Sequence, residues 1–290
     1  MLEKANVRLN DAAIQVSEWF RKKGFRTCIL KGQGNALMYP NPYSRTPGDI
    51  DIWVEGEDKR VISFVRSISP HEKACYHHIE FPSYKGVEVE VHYRPSFLLC
   101  FWHNRKLQKY YERVKEEQFS HRVMLGEQGE IAIPTVEFNL IFQLTHIFSH
   151  LMNEGIGLRQ LLDYYYVLIS DDLLLIRDRV QKELKHLGLW KFAQAVMFVM
   201  KKVFGLSEDR MIAPMDEKEG RFLLDEIMRG GNFGQYDDRM GSKVGESKIY
   251  RYFRMNLRNL RFVKHYPTEA LSEPLFRTWF AVWKKMINHC

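Results

Sequence analysis

Along the first hundred residues the hydrophobic positions change period several times, and each change marks an element. Ala12, Ala13, Val16, Trp19 and Phe20 recur at helical spacing between Asn10 and Lys23, and Gly24 supplies a stop signal. Thr27–Leu30 is a short apolar run that predicts a buried strand, leading into Lys31-Gly32-Gln33-Gly34. A helical turn over Asn35–Met38 follows, closed by Pro40 and Pro42. From Gly48 the period becomes two: Asp49 and Asp51 project to one face of a strand, Ile50 and Ile52 to the other. Glu57–Ile68 predicts a surface helix. His77–Pro82 and Val87–Tyr93 predict the arms of a hairpin about Ser83–Gly86. Its second arm sorts Val87, Val89, Val91 and Tyr93 from Glu88, Glu90 and His92, and Pro95 ends it.

Beyond this point the pattern is helical. Tyr110–Leu125 is charged and predicts a helix, and Thr135 caps a long one carrying Leu140, Ile141, Leu144, Ile147 and Leu151 at core spacing. Lys182–Phe204 predicts one amphipathic helix. Ser207–Ser247 holds Gly230, Gly231, Gly234, Gly241 and Gly245 among charges, and its later part predicts a long loop, either a lid or a disordered segment. In Lys248–Lys264, Arg251, Arg254, Arg258 and Arg261 share one helix face beside an apolar stripe of Tyr250, Phe253, Leu257 and Leu260. Such a basic stripe could track phosphates of RNA or an anionic membrane, or form the solvated face of an ordinary amphipathic helix, which is the reading preferred here. Pro267 separates it from a last helix anchored by Phe276, Trp279, Phe280 and Trp283. The expected class is α+β, with a small mixed or antiparallel sheet and flanking helices in residues 1–98 and a mainly helical domain over 99–290.

Composition narrows the function little. The chain of 290 residues carries 43 Lys and Arg against 36 Asp and Glu, a net charge of +7. That balance favours phosphate-bearing ligands without demanding nucleic acid. Cys28, Cys75, Cys100 and Cys290 are scattered, with no C-x-x-C pair, and are read as reduced thiols of a cytoplasmic protein. No apolar signal core follows Met1, and no run approaches the roughly 20 apolar residues of a membrane span. His146 and His150 have the spacing of paired zinc ligands, but Ile147 stands where an H-E-x-x-H site needs glutamate, so packed histidines are the reading there. Arg159 and Asp163 are also four apart, a spacing that gives either a surface ion pair or residues lining a cleft.

The acids carry the chemistry. Two carboxylates side by side repel by about 4 kcal/mol at 4 Å with an effective dielectric near 20, so something positive belongs between them. Hard divalent cations suit such oxygens, and Mg²⁺ is usually held by one or two carboxylates plus substrate phosphates. If the Val87–Tyr93 arm pairs with the Asp49/Asp51 strand, one of its glutamates joins them. The competing reading is a solvent-facing charged stripe. The Lys31–Gly34 turn, between a strand and a helix start, offers backbone N–H groups to phosphate, though it lacks the P-loop pattern and such turns are also purely structural.

Leu30-Lys31-Gly32, then Arg45-Thr46-Pro47-Gly48-Asp49-Ile50-Asp51, then Glu90-Val91-His92 resemble, in order and spacing, an uncharacterised bacterial nucleotidyltransferase family of the DNA polymerase beta superfamily. The three motifs span roughly residues 25–95, and Leu158–Asp163 fits more loosely. The resemblance implies a polymerase-beta-type core whose cleft is closed by the helical domain. It also implies Mg²⁺ or Mn²⁺ held by Asp49, Asp51 and Glu90, which would be the catalytic residues. Lys31, Gly32, Gln33, Arg45 and Gly48 would contact ATP or another NTP, with a hydroxyl-bearing small molecule or protein as acceptor. Nucleic acid is possible as acceptor but not favoured. Lys31 and Arg45 could equally be ordinary surface cations. Glu88 rivals Glu90, and His92 fits a supporting or packed role better than a ligand's. Gln33 departs from the serine or glycine usual after the loop's first glycine, which leaves open a non-catalytic nucleotide- or partner-binding protein.

Overall fold

The computed structural model describes residues 1–127, 129–231 and 248–288. It divides into two compact units, one of Met1–Ser96, Gln108–Asn139 and Phe280–Cys290, the other of Phe97–Leu107 and Leu140–Trp279. In chain order the first elements are α1 (Leu2–Lys22), β1 (Thr27–Ile29), α2 (Gln33–Ala36), β2 (Ile50–Val54), α3 (Asp58–Ile68), β3 (His78–Tyr84) and β4 (Val87–His92). Then come α4 (Phe101–Ser120), β5 (Arg122–Met124), β6 (Glu130–Ala132) and α5 (Val136–Asn153). The helical remainder is α6 (Leu158–Leu168), α7 (Leu173–His186), α8 (Trp190–Phe204), α9 (Glu217–Gly230), α10 (Lys248–Val263) and α11 (Pro267–Asn288). The chain is thus a mixed sheet flanked by helices, a polymerase-beta-like core, followed by a mainly helical C-terminal part. Among the described residues no helix is long and apolar enough to cross a membrane.

The four-stranded sheet of the first unit has the order β1-β2-β4-β3. β2 runs antiparallel to β1 and parallel to β4, and β3 is antiparallel to β4. A parallel neighbour requires a crossover, and α3 followed by the outer strand β3 provides it. Lys85 (φ 52°) and Gly86 (φ 74°) are both left-handed at the β3–β4 hairpin, the two-residue turn whose twist matches its strands. The strand alternation separates the two faces. Ile50, Ile52, Ile79, Val87, Val89 and Val91 bury one face against Leu9, Ala12, Ala13, Val16 and Phe20 of α1 and Val61, Ile62 and Val65 of α3. The opposite face carries the acids, and Trp53 on it packs against Phe119 and Phe138, with ring centroids 4.7 and 5.8 Å away.

The end of α11 completes this unit. Trp283 and Ile287 pack on the same apolar core, and the Tyr76 ring lies 6.1 Å from that of Trp283. Arg66 Nη1 donates to the Ile287 carbonyl at 2.7 Å, and the Ala74 N–H donates to the Asn288 side chain at 2.9 Å.

In the helical unit two sequence expectations need correction. The single helix expected over Lys182–Phe204 is two, because Gly188 takes φ +75° and ends α7 before α8 begins. The glycine-bearing segment from Ser207 includes an ordinary helix, α9, capped by the Asp216 side chain, which accepts from the Glu219 N–H at 3.0 Å. The loop expected in its later part, residues 232–247, lies outside the described residues. The second correction concerns α10, where the apolar stripe faces solvent: Tyr250, Phe253, Leu257 and Leu260 are 60–69% exposed. Arg258 is buried, reaching the Leu151 and Met152 carbonyls at 3.4 Å, and Arg261 pairs with buried Glu226 at 2.5 Å.

That inversion has a physical cause: the unit buries several glutamates, and each carboxylate has a cation or hydrogen-bond donors beside it. Glu219 meets Lys191 and His265, Glu269 meets His103, and Glu273 meets Arg277. A buried carboxylate left without such a partner costs several kcal/mol, so the arginines turn inward. Packing elsewhere in the unit is tight. A Cβ on Gly220 of α9 would lie 2.4 Å from the ring of buried Phe198 on α8. Gly220→Ala is therefore expected to destabilise the chain by about 1–3 kcal/mol, the cost of overpacking, read as a lower denaturation midpoint with unchanged slope.

Candidate metal and nucleotide site

The site is built by the register of three strands. β2 and β4 pair Asp51 with Glu90, and β3 and β4 pair His78 with His92. Pairing partners share a face, so Asp51, Glu90, His78 and His92 all stand opposite the apolar core. Asp49, one residue ahead of β2, joins them, and one carboxylate oxygen each from Asp49, Asp51 and Glu90 lies within 4.8 Å of the other two. Glu88 has no place in this cluster.

Local interactions bring the remaining sequence candidates to different places. Lys31, just past β1, sets its Nζ 2.9 Å from Asp51 Oδ1, with the two side chains 21% and 2% exposed. Gly32 takes φ +64°, open to glycine at low cost, and a Cβ there would lie 3.6 Å from the Asp49 carbonyl. Gly48 directly precedes Asp49. Gln33 is buried, and its amide donates to Asn10 Oδ1 on α1. Arg45 is buried too, its Nη1 donating to the Thr46 carbonyl at 3.3 Å. Asn6 holds that loop to α1 by donating to the Tyr43 and Arg45 carbonyls at 3.0 and 2.9 Å. The side chains of Gln33 and Arg45 thus serve the loop's anchorage, while Lys31 stands among the acids. Gln33 also lines a cavity of about 120 Å³ with Asn10, Leu37, Tyr43 and Leu125.

Charge in the site is finely divided. Burial alone would raise the Asp51 pKa, but Lys31 and His92 outweigh it and hold the carboxyl well below its ordinary range. Asp49 is pushed up, first by the neighbouring Asp51 charge and then by burial. Burial opposes ionisation of Glu90, yet the hydrogen bond from His92 leaves it lowered. The same carboxylates raise Lys31 and His92 against the pull of burial. His92 Nε2 lies 3.0 Å from Asp51 Oδ1 and 3.4 Å from Glu90 Oε2, so this imidazole braces both strands' acids.

Three clusters among the described residues have three donors close enough to hold a metal ion: Asp49/Asp51/Glu90, His78/Glu90/His92 and Cys100/His103/Glu269. None includes His146 or His150, whose rings lie edge to face at 4.3 Å. Asp163, on α6, is buried. Sequence reasoning missed the roles of His77 and His78. Their signal was the adjacent pair at the start of a hairpin arm opposite a strand ending in His92.

The profile of the family described as uncharacterised nucleotidyltransferase matches residues 1–205. The chain belongs to that family. No curated protein matches it. Among solved structures it is similar to an antigenic nucleotidyltransferase-like protein from Paracoccidioides brasiliensis, at 12% identity and a TM-score of 0.38, covering 75% of this chain and 96% of that one.

Proposed function

We propose that this protein transfers a nucleoside monophosphate from an NTP to a hydroxyl group of a small-molecule or protein acceptor, using a divalent cation held by Asp49, Asp51 and Glu90. The observation that carries the reading is the convergence of those three carboxylates on one sheet face. An all-oxygen, anionic donor set is what Mg²⁺ or Mn²⁺ takes, so the residues present fit such an ion. When bound, the ion supplies charge stabilisation at the α-phosphate and the leaving pyrophosphate.

The chain's own residues do the rest. Asp49 and Asp51 would hold the cation that meets the triphosphate, and Glu90 accepts the proton of the attacking hydroxyl. The new oxygen–phosphorus bond forms at the α-phosphate as the α–β bridging bond breaks and pyrophosphate leaves. Lys31 neutralises Asp51 in the free protein and turns to the β- and γ-phosphates when nucleotide arrives. The backbone at Gly32 and Gly48 lets the phosphates come close, since neither has a Cβ to obstruct them. Gln33 and Arg45 contribute by holding the loop to α1 and to itself.

A second reading, binding of a nucleotide or partner without transfer, draws on Gln33, whose amide is spent on Asn10. One assay separates the two. The wild type, incubated with labelled NTPs, Mg²⁺ or Mn²⁺ and a metabolite extract, is expected to transfer label, and Asp49→Asn to lose transfer and weaken metal-dependent NTP binding. Equal turnover by the variant and the wild type would remove the enzyme assignment from this site.

A further inference from the structure

Glu90 belongs to two clusters at once. Beyond the aspartates it faces His78 and His92, and one donor atom from each of His78, Glu90 and His92 lies within 4.8 Å of the others. Glu90 Oε2 is 3.4 Å from His92 Nε2 and 3.7 Å from His78 Nδ1. A third imidazole closes the group: the His77 ring centroid is 4.4 Å from that of His78 and 5.3 Å from that of His92. His92 is 1% exposed, and its Nδ1 has no hydrogen-bond partner.

His77 Nε2 and His78 Nδ1 lie 3.0 Å apart in a hydrogen bond, and Glu90 Oε2 approaches both His78 and His92, so ring nitrogens gather around one carboxylate oxygen. Nitrogen and anionic oxygen donors gathered this closely are a donor set for a cation: neutral imidazoles would donate lone pairs, and the cation would balance the carboxylate. The donor chemistry also selects the ion. Magnesium dehydrates reluctantly and takes oxygen ligands, whereas imidazole suits zinc and other first-row transition metals.

We propose that His78, Glu90 and His92 form a second cation site, bridged through Glu90 to the carboxylate cluster, and that it takes a transition-metal ion of the manganese-to-zinc class. Binding at this site is independent of nucleotidyl transfer; its use as the second ion of a two-metal clamp rests on the reading above.

The test uses the full chain stripped of metal and Mn²⁺ as the probe, with excess Mg²⁺ present and no nucleotide. Pulsed electron paramagnetic resonance of bound Mn²⁺ is expected to show nitrogen coupling from coordinated imidazole. His78→Ala should weaken Mn²⁺ binding by about 100-fold and reduce that coupling, since lost ligands cost at least as much as lost supporting groups. His78→Gln, which retains bulk and a hydrogen-bonding group, checks that the loss is not unfolding and should behave like His78→Ala. Asp49→Asn should retain the nitrogen coupling. Mn²⁺ bound without nitrogen coupling, or bound equally by the wild type and both His78 variants, would overturn the proposal. Nitrogen coupling in a protein that transfers no label would leave the metal site standing and remove the enzyme reading alone.

Discussion

Lys31→Met is expected to destabilise the chain by about 3–5 kcal/mol at neutral pH, the cost of removing one partner from a buried ion pair. The carboxylate it leaves behind, Asp51, is 2% exposed and lies within 4.8 Å of the oxygens of Asp49 and Glu90. His92 alone would then face the acids that two cations now share. Equilibrium urea unfolding measures the loss. A divalent cation should recover part of it, because an ion bound only by the folded state adds stability in proportion to the logarithm of its concentration over its dissociation constant. The variant should therefore gain more from millimolar Mn²⁺ than the wild type does, since the ammonium no longer competes for Asp51. A variant as stable as the wild type would mean that Lys31 does not balance the acids.

Glu90→Gln should lower label transfer by about 100- to 1,000-fold, the range for deleting one preorganised electrostatic contact. The substitution keeps the side chain's size and hydrogen-bonding reach but removes the charge shared between the two donor clusters. Glu88→Gln supplies the internal comparison. It sits two residues away on the same strand face but outside both clusters, and should keep transfer within about twofold, as substitutions away from a site usually do. Equal losses in the two variants would mean that strand β4 contributes general negative charge rather than one positioned carboxylate.

These expectations grew from features that a strict period of two makes legible. Asp49, Asp51, Glu88, Glu90 and His92 can be assigned to one sheet face because alternation leaves no other choice once the isoleucines and valines are buried. Pairing of Asp51 with Glu90 was conditional in the sequence, because register depends on which strands become neighbours. The helical half was harder for a related reason. A helix with arginines on one face and apolar residues on the next does not say which face turns inward. The answer for α10 came from glutamates and carbonyls contributed by α9 and α5, groups distant in sequence. For His78 the sequence offered the adjacent histidine pair as a signal, but its neighbours Glu90 and His92 come from the partner strand and depend on register. Gly188 was different: a glycine inside an apparently continuous helical pattern was a readable stop, and the local signal was simply outweighed by the apolar periodicity around it.

The last turns of α11 carry a consequence for how the protein is made. Arg66 bonds to a residue 221 positions further along the chain. At about 5–20 residues per second of synthesis, that partner emerges some 10–45 s later. The acid-bearing unit therefore spends tens of seconds on the ribosome with its apolar surface incomplete. Its final packing waits until α11 has been made.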